Sequence, residues 1–253
     1  MLYVDEAGAP GQPALVFLHG GGLSGRQWRP QLEQLSDGYF CLAPDLPEQG
    51  RSASIGPFLL DDAADQVAAL IAARVHSGRA TVIGNSLGGA VALALAVRAP
   101  ERVERLIVTG TSTGLGPTLA WVMRVSAGMM GWFPQDWLLD RTLSEFRIPE
   151  PHRAALREDL RLGLRPDFNR HVADALATVP LPAAARALVL VGARETALAR
   201  QQARRMAERI AGARGATVRG VGHVWNLEAP ELFCATVRAF CGDGGLPEGV
   251  EGF

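Results

Sequence analysis

The sequence contains no lysine, so all 25 of its Lys and Arg positions are arginine. A chain without a lysine amine cannot form a Schiff base, hold pyridoxal phosphate as an aldimine or build a Walker A phosphate loop. It also lacks an excess of charge of either sign. The net charge is −1 and the pI is near 6.5, which excludes the basic surface that neutralises a phosphate backbone, so nucleic acid is not an expected partner. Cysteine is scarce: Cys41, Cys234 and Cys241 show no C-x-x-C spacing and read as free, buried thiols of a reducing compartment. No apolar run reaches the roughly 18 residues of a membrane-spanning helix. The start Met1-Leu2-Tyr3-Val4-Asp5-Glu6 has neither a basic stretch nor an apolar core, so no membrane span is expected and the default location is cytoplasmic. What is abundant is apolar: 48% hydrophobic against 20% charged residues over 253 positions, enough to bury one large core and too apolar for disorder.

Short runs rich in branched and aromatic residues, each bounded by Gly, Pro or Asp, predict buried strands at 14–18, 39–43, 80–83, 106–109, 187–191 and 216–219. Helical periodicity lies between them. Over 61–75, Val67, Leu70, Ile71 and Val75 share one face, with Asp61 and Asp62 placed to cap and charge the first turn. A second helix over 87–99 stops at Pro100. Alternation of this kind predicts a doubly wound, mostly parallel α/β sheet. It breaks between 113 and 182, which read as inserted helices, dividing the chain into a core of 1–112 with 183–253 and a helical cap of 113–182. Within that insertion Trp121, Val122, Val125, Met129, Met130, Trp132, Phe133 and Trp137 form an aromatic and methionine-rich cluster. The cluster either packs on itself or lines an apolar pocket, with Trp121, Met129 and Met130 the candidate lining. The Gly-rich ending, 242–253, reads as a loose tail.

After the 80–83 strand comes Gly84-Asn85-Ser86-Leu87-Gly88-Gly89 and then the 87–99 helix. Strand, G-x-S-x-G and helix in succession are a nucleophile elbow. So sharp a turn strains the serine backbone and leaves no room for side chains two positions away, hence Gly84 and Gly88. Ser86 is therefore the candidate nucleophile, and the Leu87 N–H at the helix start a candidate oxyanion donor. Serine needs a base. In the chain order serine, acid, histidine that base lies C-terminal to Ser86, where His152, His171 and His223 stand. His152 and His171 fall among charged residues of the insertion and are expected to face solvent. His223, in Gly220-Val221-Gly222-His223 after a predicted strand, is the candidate base. Glu195, in Gly192-Ala193-Arg194-Glu195 leaving the 187–191 strand, is the candidate acid that fixes the imidazole tautomer. The 106–109 strand is followed by Gly110-Thr111-Ser112, which offers no acid there. A second oxyanion donor is expected from His19-Gly20-Gly21-Gly22, with the Gly21 amide first and Gly22 second, and His19 itself structural. Gly22, Asn85, Trp28 and Trp225 are placed near the predicted mouth as substrate contacts. No metal or cofactor is required.

In this combination and order, the motifs make the chain resemble the α/β-hydrolase superfamily over nearly its whole length, most closely its small capped esterase-type members. The resemblance also rests on Pro44-Asp45-Leu46-Pro47 with Gly50-Arg51-Ser52, and on Gly222-His223 with Glu228 and Pro230. It implies an eight-stranded sheet with a cap inserted after the sixth strand. Three departures stand out: Glu195 where the family usually has Asp, Glu48-Gln49 where Gly-His is usual, and only Leu2 to Glu6 before the glycine-turn strand, so that the first antiparallel strand is expected to be absent. The implied reaction is hydrolysis of a small to medium apolar carboxylic ester through an acyl-enzyme. Carbon–carbon bond hydrolase, lactonase, thioesterase and perhydrolase chemistry use the same triad, and a receptor that binds without turnover keeps the fold.

Overall fold

The computed structural model describes residues 1–130 and 132–253. Its elements run β1 (Val4–Ala7), β2 (Ala14–Leu18), α1 (Arg29–Leu35), β3 (Phe40–Pro44), α2 (Leu60–Arg74), β4 (Ala80–Asn85), α3 (Leu87–Arg98) and β5 (Val103–Thr109). Four helices follow in a row, α4 (Gly116–Met129), α5 (Gln135–Glu145), α6 (Glu150–Gly163) and α7 (Pro166–Ala177). The chain then returns to the sheet through β6 (Ala184–Gly192), α8 (Ala197–Arg209), β7 (Ala211–Val218), α9 (Trp225–Glu228), α10 (Pro230–Cys241) and β8 (Val250–Gly252). The eight strands form one sheet in the order β1-β3-β2-β4-β5-β6-β7-β8. The six inner strands are parallel, and β1 and β8 run antiparallel at the two edges.

Side chains of the inner strands alternate between two buried faces, as parallel strands covered on both sides must. On β2, Val16 and Leu18 join the face covered by α2, α3 and α8, while Leu15 and Phe17 join the face covered by α1 and α10. Helix α3 is buried on nearly every side, which its run of Ala, Val and Leu suits. Burial pushes the Cys41 thiol up to about 12 and that of Cys234 to about 11.

Four expectations need correction. An antiparallel strand does precede β2, because Val4–Ala7 pairs with β3 from Val4 opposite Pro44 to Ala7 opposite Cys41; with no strand before it, the four-helix insertion follows the fifth strand of this chain. The ending is not a loose tail: Val250, Glu251 and Gly252 pair with Val218, Thr217 and Ala216. The Phe253 ring lies where a side chain on Gly215 would stand, its Cε2 only 2.1 Å from the Cβ that glycine lacks. Asp61 and Asp62 do lie in the first turn of α2, but the residue before the helix is Leu59 and makes no side-chain cap. Asp61 instead pairs with Arg98 of α3. No helix among the described residues is long and apolar enough to cross a membrane.

Candidate active site

Strand order reverses direction at β2, whose neighbours are β3 on one side and β4 on the other. Loops leaving the carboxyl ends of β2 and β4 diverge there and open a crevice. The turn His19 to Gly22 leaves β2 and Ser86 leaves β4. Ser86 sits at φ 53° and ψ −114°, a region costly for any residue with a Cβ. Its frame is enforced by contact. A Cβ on Gly84 would stand 2.4 Å from Gly88 O, one on Gly88 2.1 Å from Leu18 O, and one on Gly89 1.8 Å from Thr111 Oγ1. The strained turn is pinned by the backbone: Ser86 N donates to Thr109 O at 2.9 Å and Ser86 O accepts from Ala90 N at 3.1 Å. Thr111 Oγ1 donates to the same carbonyl at 3.1 Å. The serine hydroxyl itself makes no hydrogen bond among the described residues.

His223 follows β7 and faces the same cavity as Ser86. Its Nδ1 lies 2.8 Å from Glu195 Oε2, and Glu195 Oε1 accepts from Gly192 N at 3.1 Å. Glu195 therefore reaches the imidazole although it is one methylene longer than Asp, and its side chain is nearly buried, at 7% exposed. A carboxylate so placed holds the proton on Nδ1 and leaves Nε2 as the basic nitrogen. Gly110, where an acid could have followed β5, leaves room for the ring, since a Cβ there would stand 2.8 Å from His223 Nδ1. Phe146, from the end of α5, stacks on the imidazole with centroids 5.5 Å apart. The gap between the Ser86 hydroxyl and the His223 ring carries no hydrogen bond, a looseness common in catalytic sites without a bound substrate.

Hydrogen bonding distinguishes the three glycine amides. Gly20 N donates to Gln27 Oε1 at 2.9 Å and Gly22 N to Gln49 Oε1 at 2.7 Å. Gly21 N has no protein partner among the described residues and, like the Leu87 amide at the start of α3, borders the cavity. These two amides are the ones available to an oxyanion. His19 is wholly buried: its Nε2 accepts from Leu46 N at 2.9 Å and its Nδ1 lies 2.9 Å from Gly20 O, which requires a neutral ring protonated at Nδ1. Burial holds its pKa below the usual histidine value, against the pull of Asp45. Burial pushes the Asp45 carboxyl up, but hydrogen bonds from Arg51 and from the Arg51 and Gly25 amides outweigh it and leave it below the usual range. That network explains the Asp45, Gly50 and Arg51 pattern, because a Cβ on Gly50 would stand 2.5 Å from Asp45 Oδ2.

Sequence reading missed a buried chain of amides beneath the site. Gln27 Nε2 donates to Asn85 Oδ1 at 3.0 Å and lies 3.2 Å from Asn226 Oδ1. Asn85 Nδ2 in turn donates to His223 O at 3.0 Å. Gln27 thus ties the glycine turn, the elbow and the histidine loop together. Nothing local in the sequence marks it, since the burial of the neighbouring Trp28 shows only in the structure. The Glu48-Gln49 departure also has a role: Gln49 holds Gly22, and Glu48 Oε2 accepts from Phe58 N at 2.7 Å and lies 2.7 Å from His171 Nδ1. His171 is therefore paired and half-buried rather than facing solvent.

The cavity over Ser86 measures about 280 Å³. Gly21, Gly22, Asn85 and Leu87 line it, whereas Trp28 and Trp225, expected at its mouth, and Trp121, Met129 and Met130, expected in its helical lining, do not. Trp28 is wholly buried, packed between Phe17 and Phe233 with centroids at 5.2 and 5.4 Å, because the turn before α1 rotates it under the sheet. Trp225 is equally buried, its Nε1 donating to Thr109 Oγ1 at 2.8 Å. Trp121 and Met129 lie on the outer face of α4, 62% and 38% exposed, and Met130 lies beyond that helix. The inner face of α4 offers Met123 instead. Phe146, Leu160, Leu164, Phe168, Val172 and Leu176 from α5 to α7 and their connections complete the apolar wall. Helix α6 approaches so closely that a Cβ on Gly163 would stand 2.5 Å from Gly22 Cα.

Residues 15–236 match the model of the alpha/beta hydrolase family. An AB hydrolase superfamily protein of Gibberella zeae is 30% identical over 96% of this chain and 84% of its own length. A pimeloyl-acyl-carrier-protein methyl ester esterase of Pectobacterium atrosepticum is 40% identical, over 44% of this chain and 41% of that protein. Among solved structures, a thermophilic esterase from Thermogutta terrifontis superposes with a TM-score of 0.80 at 25% identity, covering 96% of this chain and 93% of that one. The chain belongs to the alpha/beta hydrolase family.

Proposed function

We propose that this protein is a serine hydrolase that cleaves small to medium apolar carboxylic esters through an acyl-enzyme, with residues 113–182 as the cap over its pocket. Ser86 Oγ attacks the ester carbonyl while His223 Nε2 takes its proton, and the amides of Gly21 and Leu87 receive the charge that develops on the carbonyl oxygen. His223 returns that proton to the departing alkoxide, then activates a water that releases the acid and regenerates Ser86. Glu195 holds the imidazole in the required tautomer and stabilises its cation. The observation that carries the reading is the 2.8 Å contact between Glu195 and His223 at the wall of the cavity that also holds Ser86. The esterase names of two of the relatives support ester chemistry, and the apolar wall suits an apolar acyl group.

The test combines a fluorophosphonate probe with p-nitrophenyl esters of increasing acyl length. Stoichiometric labelling of Ser86 is expected, together with a loss in kcat of roughly 10⁶ in Ser86→Ala, the scale seen when a serine protease loses its nucleophile. Unlabelled protein, or a variant retaining more than a tenth of the activity, would overturn the assignment, and unlabelled protein that still bound the esters would point to a receptor.

A further inference from the structure

The chain carries 25 arginines and no lysine, yet none of them lines the cavity over Ser86. Among the described residues, the ionisable side chains in the lining are His223 and Glu145, the latter at the solvent-exposed end of α5. Arg147 comes near, its Cδ 3.7 Å from the Cβ position of Gly222, but it stays outside the lining. Neutral donors on the cap side are mostly engaged, with one of the two N–H groups of Asn169 left over. The Thr142 hydroxyl donates to Leu138 O at 2.8 Å, and Asn169 Nδ2 donates to Arg165 O at 2.9 Å. The amides facing the cavity from the other side, Gly21 and Leu87, are needed at the reacting carbonyl. A carboxylate at the far end of an acyl chain would thus leave water for an apolar space with no cation and with an anion on its wall, which is costly.

Resting on the hydrolase reading above, we infer that the substrate's acyl part is uncharged, and that the site discriminates against acyl groups ending in a carboxylate, with Glu145 as a specificity-determining residue. A substrate whose acyl chain ends in methyl, amide or ester meets no such penalty. The acid released must then bear its only negative charge at the newly formed carboxylate, beside the oxyanion amides.

The experiment compares two p-nitrophenyl esters of one six-carbon diacid, identical except that the far end is a free carboxylate in one and a primary amide in the other. For the wild type, kcat/KM is expected to favour the amide at least tenfold, with most of the difference in KM. In Glu145→Gln that ratio should fall severalfold; the ratio, rather than either rate, is the readout. A wild-type ratio of one or below overturns the inference while leaving ester hydrolysis intact. A high ratio that stays unchanged in Glu145→Gln removes Glu145 from it. Turnover of neither ester, with no fluorophosphonate labelling, is the distinct result that would sink the hydrolase reading itself.

Discussion

Asp159 is the buried acid on which a quantitative test of the contact between α6 and the glycine turn can be built. It projects from α6 onto the turn that carries the glycine amides, where Ser24 Oγ donates to its Oδ2 at 2.5 Å and Arg26 Nη1 approaches Oδ1 at 3.5 Å. Burial pushes its pKa up to about 6, against the opposing pull of the Ser24 hydrogen bond and of Arg26. A carboxyl whose pKa is higher folded than unfolded binds more protons in the folded state. Its contribution to stability is therefore greatest at low pH and is lost as pH rises from about 4 to about 6. Two pKa units correspond to about 3 kcal/mol, of which about 1.4 kcal/mol falls between pH 5 and 7.5. Asp159→Asn keeps an acceptor for Ser24 and removes the buried charge. It gives up the partly exposed Arg26 pair, worth under about 1 kcal/mol, which is less than the cost of keeping a charge buried there. The variant should be more stable than wild type at pH 7.5, and the gain should shrink by about 1.4 kcal/mol at pH 5, or roughly 3–6 °C in Tm for a chain of this size. Thermal unfolding of both proteins at the two pH values measures this. A variant less stable at pH 7.5, or a difference independent of pH, would refute the reasoning.

Two further predictions concern the groups behind Ser86. Glu195→Gln keeps the shape of the 2.8 Å contact but no longer enforces the tautomer, and should cost about 10⁴ in kcat, as the corresponding change does in serine proteases; p-nitrophenyl butyrate hydrolysis within tenfold of wild type would move the acid elsewhere. Gln27→Met removes the acceptor of Gly20 N and the donor to Asn85 in nearly the same volume. If Gln27 aligns the glycine turn with the histidine loop, kcat should fall by about 10² with little change in KM, the cost of a misplacement of about 1 Å. A variant that is merely less stable, with kcat within twofold of wild type once folded, would make Gln27 structural only.

The core and the elbow were legible because their requirements are local. Six inner strands were expected where β2 to β7 stand, though β5 and β6 start three residues and β7 five residues earlier than read, and the glycines around Ser86 are fixed by clashes of 1.8–2.4 Å that no side chain could relieve. The pairing of Glu195 with His223 was legible too, since each residue follows a strand whose place in the sheet alternation made predictable. Pairings across the chain were not. Gln27 lies in a bonded network with Asn226, nearly two hundred positions away, and no local pattern encodes that. The last strand, three residues long, exists because β7 carries Gly215, where Phe253 packs.

The insertion defeated sequence reading for a different reason. Helix α4 is apolar on both its faces: Met123 turns toward the cavity while Trp121, Val122, Val125 and Met129 turn outward. A period search cannot choose between such faces, because the signal it needs is polar residues on the wrong side. Large aromatics drew attention to the outer face, yet the cavity wall comes from smaller residues of more amphipathic segments, Leu160 on α6 and Phe168 and Val172 on α7. Those residues are selected by a constraint internal to the fold. Each must reach past the rim set by Gly22 and His223, and α6 does so only because Gly163 lets backbone touch backbone. In this chain the turn around Ser86 is thus specified by sterics a sequence can display, whereas the cavity wall above it is specified by how closely two distant backbones can approach.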